Sequence, residues 1–324
     1  MDRAANINGY QKSVKPENII KTGMGFWASK TLLAAIKQGL FTMLKDNQMP
    51  GRKIQEELNL HFRSLYDFLD ALVALGFIKR EGLMDNAVYR NSADAALYLD
   101  KSKETYIDGF FEMANDRLYP FLGNLEDGLR TGQPQNELKE TGEYFFKELY
   151  REPARLKQFL QAMAGFQMGN FKTLLEKFDH LNCITVDLQP VEPIARDMVQ
   201  KFGLEDRVTV RSVDFFKDEI PVSDVIIMGN ILHDWNLEEK KILIRKAYDQ
   251  LTDDGALIVI ENIIDNDRSA NLFGLLMSLN MLIEAPGGFD FTGIDFEKWT
   301  REIGFKSTEV VPLTGPASAS IAYK

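Results

Sequence analysis

The chain has 324 residues, of which 45% are hydrophobic, so it can fill the cores of two domains or of one large domain with an appendage. Its formal net charge of -10 repels nucleic acids and anionic membranes, so neither is expected as a partner. The single cysteine, Cys183, excludes a disulfide framework and a site of several thiolates. The first residues are polar and no long apolar run occurs, so we expect a cytoplasmic protein without a membrane anchor.

Helical spacing begins near the N-terminus, between Pro16 and Leu44. Apolar residues recur there at mixed intervals of three and four, which predicts two buried helices. A short helix from Ile54 to Leu58 follows, and a longer one ends at Gly76. Residues 77–91 then alternate as a hairpin does. This order of helix, turn, helix and hairpin predicts a winged helix.

A winged helix either binds DNA or serves packing. The helix that would enter the DNA groove carries Arg63, Asp67 and Asp70 on its polar side. DNA contact favours Lys, Arg, Asn and Gln at its leading end. We therefore favour a structural or dimerising module, with a DNA-binding regulator as the alternative.

Residues 103–178 read as helical throughout, and 132–135 are their most linker-like stretch. Aromatic residues and methionines are abundant in this region, and most are expected to pack in the core. Met163 and Phe166 are also candidates for the wall of a ligand pocket.

After His180 short apolar runs alternate with helical segments. Strands are predicted at 183–188, 207–215, 224–232 and 256–262, the last after a turn at 253–255. Helices are predicted at 191–203 and 238–251. This alternation predicts an α/β domain with a mostly parallel, Rossmann-like sheet that binds ligands at the carboxyl ends of its strands.

Polar residues stand at four of these strand ends, namely Asp187, Asp214, Asn230 with His233, and Glu261. A carboxylate in the position of Asp187 suits the paired hydroxyls of a ribose, because it can accept two hydrogen bonds. An aspartate at a strand end is equally consistent with an ordinary helix cap or turn.

His233 lies in the run NILHDWN, with Asp234 and Trp235 beside it. A histidine there can take a proton near neutral pH, and a carboxylate can fix its tautomer and raise its basicity. Glu261 is the candidate for that carboxylate. The alternative is a structural loop histidine with Trp235 as a core residue.

Two parts of the chain carry a resemblance to a known family. The run from Val208 to Ile264, with GGFDFTGIDFEKWTREIGF after it, resembles small-molecule O-methyltransferases of the plant caffeate and hydroxyindole type, in their bacterial branch. Residues 25–41 and 65–80 are similar to the winged-helix dimerisation domain of that family. The resemblance implies a homodimer, with a dimerisation domain at 1–102, and a helical linker region with a Rossmann-like methyltransferase domain at 103–324.

The resemblance also implies a cofactor site for S-adenosylmethionine (SAM). Asp187 would bind the ribose of SAM, Asp214 and Phe215 would flank the adenine, and Asn230 would complete the cofactor-binding set. No metal is required in this family, and the sequence has no metal-ligand spacing.

In the same family His233 would deprotonate the hydroxyl of a small acceptor, with Glu261 beside it. Asp290 in GGFDFT matches a second family acid that is usually glutamate, one methylene longer. Trp235, Met277 and Asn280 are candidate wall residues of the substrate pocket. The implied reaction is attack of the acceptor oxygen on the sulfonium methyl group.

One family feature has no match in the chain. The family has a strand and a DxGGGxG loop before the strand that ends in the ribose acid, because glycines let backbone N–H groups approach the cofactor. Here no glycine lies between Gly169 and Gly203. A strand, a loop and most of a helix, about 25 residues, are therefore expected to be absent. Pro190 and Pro193 make the loop after Asp187 a poor replacement, because they lack N–H donors.

Removal of a central strand should expose the edges of its neighbours, so the strands must pair anew, associate, or fold only in part. Three hypotheses follow. The chain is a working O-methyltransferase for a small phenolic or similar acceptor, an inactive deletion variant that keeps the scaffold, or a winged-helix regulator.

Overall fold

The computed structural model describes residues 15–103, 105–141 and 180–324, and positions 149, 150, 153, 156, 157, 159, 160 and 163 between them. The chain divides into two compact units, one up to Asn115 and one from Asp116. The domain boundary after residue 102 stays a prediction. In the described residues, no helix has the length and apolar character needed to cross a membrane.

The first unit contains helices and a small antiparallel sheet. Its helices are α1 (Glu17–Gly23), α2 (Gly25–Lys37), α3 (Leu40–Leu44), α4 (Gly51–Glu57), α5 (Leu65–Ala74), α6 (Ala93–Tyr98) and α7 (Asp108–Met113). Its strands are β1 (Met49–Pro50), β2 (Ile78–Glu81) and β3 (Val88–Asn91), in the order β1-β3-β2. The helix, turn, helix and hairpin of the sequence analysis are thus present.

Three helices, rather than the predicted two, lie between Pro16 and Leu44. Gly39 has φ +75°, a left-handed conformation that glycine adopts without strain, and α3 begins directly after it. The apolar residues keep their helical spacing across this break, so spacing alone could not locate it. Leu40, Phe41 and Leu44 of α3 are buried in the core of this unit.

The second unit begins with short helices. They are a π-helical turn (Ala114–Leu118), α8 (Tyr119–Leu122), α9 (Leu125–Thr131) and α10 (Glu137–Thr141). The predicted linker at 132–135 is the loop between α9 and α10, and Gly132 takes φ +66° at the end of α9. The region is therefore less continuous than predicted in its described part.

The strands of this unit form two separate sheets. β4 (Cys183–Asp187) and β5 (Val208–Ser212) pair in parallel as one sheet. The other consists of β6 (Ser223–Gly229), β7 (Leu251–Glu261), β8 (Ser307–Pro312) and β9 (Ser318–Tyr323), in the order β6-β7-β9-β8. The helices beside them are α11 (Glu192–Lys201), α12 (Leu237–Gln250), α13 (Leu272–Glu284) and α14 (Gly293–Ile303).

Strand β7 begins earlier than predicted. The expected turn at 253–255 lies inside the strand, where the register shifts between the pairs Ser223 with Leu251 and Val225 with Ala256. Such a bulge keeps the strand continuous around extra residues. The run at 253–255, which predicted a turn, therefore forms a bulge within β7.

The division of the sheet falls between β4 and β6. Within the described residues, β4 pairs only with β5 and β6 pairs only with β7. Apolar side chains of these two strands are exposed, among them Ile184, Val225 and Ile227. Among the described strands, β4 and β6 are not paired with each other, and the expected absence of a first strand stays a prediction.

Side chains connect the two sheets where the strands do not. Phe216, in the loop after β5, packs edge-on against Trp235 with 4.6 Å between ring centroids. The ammonium group of Lys246 on α12 donates hydrogen bonds to the backbone carbonyls of Phe215 and Asp218. The β4–β5 pair is thus attached to the four-stranded sheet through its loop.

Candidate active site

His233 lies at the carboxyl end of β6, in a single 3-10 turn (Leu232–Asp234) that leads into α12. Asn230 bends the chain just before the turn, with φ 52°. Asn236 then caps α12, because its side chain accepts a hydrogen bond from the Glu239 N–H. Only 7% of His233 is exposed. The bend and the cap together direct the histidine inward.

Glu261 at the end of β7 holds this turn in place. Its Oε1 accepts hydrogen bonds from the backbone N–H groups of Ile231 and Leu232, each at 3.0 Å, and of His233 at 3.4 Å. Its other oxygen, Oε2, lies 3.6 Å from Nδ1 of His233. The carboxylate is therefore fixed by the backbone on one side and faces the imidazole on the other.

Two more carboxylates surround the imidazole. Oδ1 of Asp290 lies 3.5 Å from Nδ1 of His233, and Oδ1 of Asp234 lies 3.6 Å from Nε2. The backbone N–H of Asp290 donates to the hydroxyl of Ser278 on α13, which anchors the loop before α14. The structure thus brings the three predicted catalytic residues, His233, Glu261 and Asp290, into one buried cluster.

This environment shifts the pKa values of His233, Glu261 and Asp234. Burial lowers the pKa of His233, but the neighbouring carboxylates, that of Glu261 first, outweigh it and raise the pKa to about 10. Burial raises the pKa of Glu261 to about 7 and that of Asp234 to about 6, against the opposing charge of His233. The imidazole consequently binds a proton tightly.

The predicted ribose acid, Asp187, ends β4 and is partly buried. Its Oδ1 accepts a hydrogen bond from the Leu188 N–H at 2.7 Å and another from the hydroxyl of Tyr150 at 3.4 Å. Burial raises the pKa of this carboxyl. The pKa of Tyr150 is raised mainly by burial and also by the charges of Asp187 and Asp234, so its hydroxyl lies near the ends of both sheets.

The other predicted cofactor residues lie in the loops after β5 and β6. Asp214 pairs with Lys217 at 2.5 Å and accepts a hydrogen bond from the Phe216 N–H. Phe215 is half-buried and lies edge-on to Trp235, with 6.3 Å between ring centroids. Asn230 is next to the histidine turn. These residues stand at the carboxyl ends of their strands, and their cofactor roles stay predictions.

The candidate pocket residues are only partly described. Met277 and Asn280 lie one turn apart on α13, on either side of Ser278, and both are half-buried. Met163 is half-buried in a helical segment, and Phe166 lies outside the described residues. Trp235 packs against the phenylalanines after β5. The prediction that these residues line an acceptor pocket is not tested by their positions.

Sequence reasoning missed three residues of the site, Tyr150, Ser278 and Lys240. Ser278 lies in α13 and Tyr150 lies in a turn, and neither has a motif around it in the sequence. Lys240 had a signal, because it occupies the helix face that Leu243, Ile244 and Ala247 bury. Because lysine is normally exposed, the sequence alone places it at the edge of the polar face of the helix rather than on the buried face.

Comparison with known proteins decides the family. A model of the O-methyltransferase domain matches residues 168–306, and a model of the O-methyltransferase dimerisation domain matches residues 21–101. The tetracenomycin polyketide synthesis 8-O-methyl transferase TcmO of Streptomyces glaucescens is 32% identical over 335 aligned positions, which cover 95% of this chain and 97% of the relative. The chain belongs to the SAM-dependent O-methyltransferase family.

Further similarities support this assignment. The 3-hydroxy-5-methyl-1-naphthoate 3-O-methyltransferase of Streptomyces sahachiroi is 25% identical, covering 94% of each chain. The structure of human N-acetylserotonin methyltransferase in complex with SAM is similar, with a TM-score of 0.85 and 25% identity, covering 98% of this chain and 99% of that one. The predicted family and its α/β fold with an N-terminal dimerisation domain are confirmed.

The alignments also contain positions of the relatives that have no residue of this chain opposite them. Since 95% of this chain is about 308 residues, about 27 of the 335 positions aligned with TcmO have no residue of this chain opposite them. For the naphthoate enzyme 94% is about 305 residues, which leaves about 28 of 333 positions. The expected absence of a strand and a glycine loop stays a prediction.

Proposed function

We propose that this chain acts on the hydroxyl group of a small aromatic acceptor, with His233 as the general base of an O-methylation. The observation that carries this proposal is the burial of His233 among three carboxylates at the carboxyl ends of β6 and β7. Ligands of open α/β sheets bind at this end of the strands.

The contacts suggest a role for each acid. Glu261 and Asp290 both face Nδ1, so they orient the ring and stabilise the imidazolium that forms when Nε2 takes a proton. Glu261 holds its position through three backbone N–H groups, so it keeps the ring from turning away. Asp290 fills the place of the usual family glutamate at ion-pair distance.

The acceptor is proposed from the relatives. One is named for a polyketide synthesis and another for a hydroxynaphthoate, both with a hydroxyl group as the methylated position. A fused aromatic ring between Trp235, Met277 and Met163 would present such a hydroxyl to Nε2. We therefore propose a phenolic acceptor that has a single aromatic ring or several fused rings.

The methyl donor of the family, SAM, fits this chain only in part. Asp187, Asp214, Phe215 and Asn230 are present for its adenosine portion, and the donor would supply the methyl group. Among the described residues, the loop after β4 offers no counterpart for the methionine portion, because residues 181–202 contain no glycine and Pro190 lies in the 3-10 turn that follows β4. This loop does not fit that part of the donor.

The second candidate function is an inactive variant that keeps the scaffold, and the split between β4 and β6 favours it. Calorimetric titration with SAM separates the two. Binding in the micromolar range would exclude the inactive variant, whereas no heat up to millimolar SAM would exclude the enzyme. Titration with 5′-methylthioadenosine, which lacks the amino acid portion, is the control. Equal affinities would show that only the adenosine portion is bound.

The catalytic assignment has its own experiment. Methyl transfer from labelled SAM to a hydroxynaphthoate is measured for the natural chain and for His233→Gln, with and without a chelator. A rate that survives in His233→Gln would contradict the base role. A chelator should leave the rate unchanged if no metal is required, and a loss would show that the cluster of His233, Glu261 and Asp290 depends on a cation.

We also propose that the chain is a homodimer through its first unit. Ile19, Ile20, Phe26 and Trp27 on α1 and α2 are between 51% and 76% exposed, which is unusual for so many large apolar side chains together. Sedimentation analysis of the natural chain and of Trp27→Glu tests this. A monomer in the natural chain would contradict the proposal.

A further inference from the structure

Lys240 on α12 is a lysine without any exposure to solvent, 0% of its surface being accessible. It occupies the helix face on which Leu243, Ile244 and Ala247 pack into the core. A lysine is almost never fully buried unless its charge has partners, because removing an ammonium group from water is unfavourable. The partners of Lys240 therefore show what the residue does.

The ammonium group of Lys240 touches both loops that carry the acid–base cluster. It donates a hydrogen bond to the backbone carbonyl of Trp235, two residues after His233. It also lies 3.6 Å from the centroid of the Phe289 ring, directly before Asp290. A cation over an aromatic face is attracted by the ring, more so when both are desolvated. One side chain thus bridges the His233 turn and the Asp290 loop.

The two loops are in close backbone contact at this point. A Cβ atom on Gly288 would lie 2.8 Å from the His233 carbonyl oxygen, and one on Gly287 would lie 2.9 Å from Cβ of Asn236. Only glycine permits such an approach. The contact leaves the loops joined by backbone packing on one side and by Lys240 on the other.

The charges around Lys240 are mostly negative. The groups that face the cluster are Asp234 and His233 on the turn after β6, Glu261 on β7, Asp290 before α14, Glu239 on α12 itself, and Tyr150 near Asp234. Burial lowers the pKa of Lys240 to about 8, and the acids, that of Glu261 first, oppose the shift. At neutral pH the lysine is therefore mostly charged, and it is a second buried cation, beside His233, among these carboxylates.

We propose that Lys240 is a positioning residue of the acid–base site. It holds together the loops that carry His233 and Asp290, and its ammonium group adds a buried positive charge beside the carboxylates of the site. Any effect of Lys240 on methyl transfer rests on the proposed function, whereas its effect on the ionisation of the neighbouring carboxyl groups does not.

The test is a pH titration of the buried carboxyl groups in Lys240→Met. The infrared carbonyl stretch of the protonated carboxyl groups monitors the titration, and no methyl donor is present. Loss of the cation should raise the pKa of Asp234 or Glu261 by about 1 unit, so more protonated carboxyl is seen at pH 7. The matched control is Lys241→Met. Lys241 is the neighbouring lysine, which pairs with Glu302 at 2.8 Å on the partly exposed side of α12.

Two outcomes would overturn the proposal. One is a titration of Lys240→Met that equals that of Lys241→Met, even if the variant melts earlier, since this would leave only a packing role. The other comes from the double variant Asp234→Asn with Lys240→Met, which removes one charge of each sign. It should restore both folding and the natural titration of Glu261, and failure to do so would show that charge balance is not the function of Lys240.

Discussion

The two sheets of the second unit differ in how they are supported. In the four-stranded sheet, Leu257 and Val259 of β7 are fully buried between helices, and β7 is paired on both edges. In the two-stranded sheet, no residue of β4 is fully buried, and Ile184 is 39% exposed. His233 and Glu261, the predicted acid–base pair, follow strands of the four-stranded sheet, and Asp187, the predicted ribose acid, ends a strand of the two-stranded sheet. The sequence can thus keep a residue of a family motif, here Asp187, on a strand that few neighbouring residues pack against.

The sharpest test of the His233 cluster is the variant His233→Gln. If the buried cluster is a working site, methyl transfer to a hydroxynaphthoate should fall by about 10²–10⁴-fold, because proton removal by a positioned base contributes that much. The control is His61→Gln, an exposed histidine of the first unit. An equal loss in both variants would contradict the base role, and melting curves would show whether the fold is intact.

The difference in packing itself predicts unequal stability effects. Leu257→Ala should lower the free energy of unfolding by about 2–5 kcal/mol, because it leaves a cavity in the core. Ile184→Ala in β4 should cost less than about 1 kcal/mol, since its side chain is already partly in water. Urea unfolding measures both. Similar costs would mean that β4 is covered in solution by something that the described residues do not include.

The pH dependence of methyl transfer sharpens the comparison further. His233 acts as a base only in its neutral form, and its pKa is raised to about 10. Below that pH the neutral fraction falls about tenfold per pH unit, so the rate should rise with pH from 7 to 10 and then level off. An acceptor with a more acidic hydroxyl should give the same midpoint. A midpoint that follows the acceptor would show that its own ionisation governs the rate.

The smallest effect is expected at Asp265, in the loop between β7 and α13. Its carboxylate accepts hydrogen bonds from the N–H groups of Ser269, Ala270 and Asn271, which lower its pKa to about 2. A lowered pKa contributes stability above the ordinary value of 3.8, and this is lost as pH falls through about 2. Asp265→Asn should therefore melt slightly earlier at pH 7, and the difference should be smaller at pH 2. A difference as large at pH 2 as at pH 7 would contradict this.

The local pattern of the sequence predicted much of the second unit. The cores of β4, β5 and β6 and of helices α11 and α12 lie within the predicted ranges, because periods of 2 and 3.6 residues are local properties. The start of β7 was wrong, because the signal Asp-Asp-Gly marks a turn in isolation and a bulge when a neighbouring strand pairs across it. His233 and Glu261 were predicted to meet because both follow strands of one sheet, whereas Asp290 was added only through the family resemblance.

Sequence alone determined the family and the order of the elements, and it supplied the candidate acid–base residues, since these depend on local runs that can be recognised without knowledge of contacts. Only the tertiary structure decided that Lys240 lies inside the core, that Ser278 and Glu261 fix the loops of the site, and that β4 and β6 leave a gap. The physical reason is that burial and strand pairing join residues far apart along the chain, and no local period encodes which of them meet.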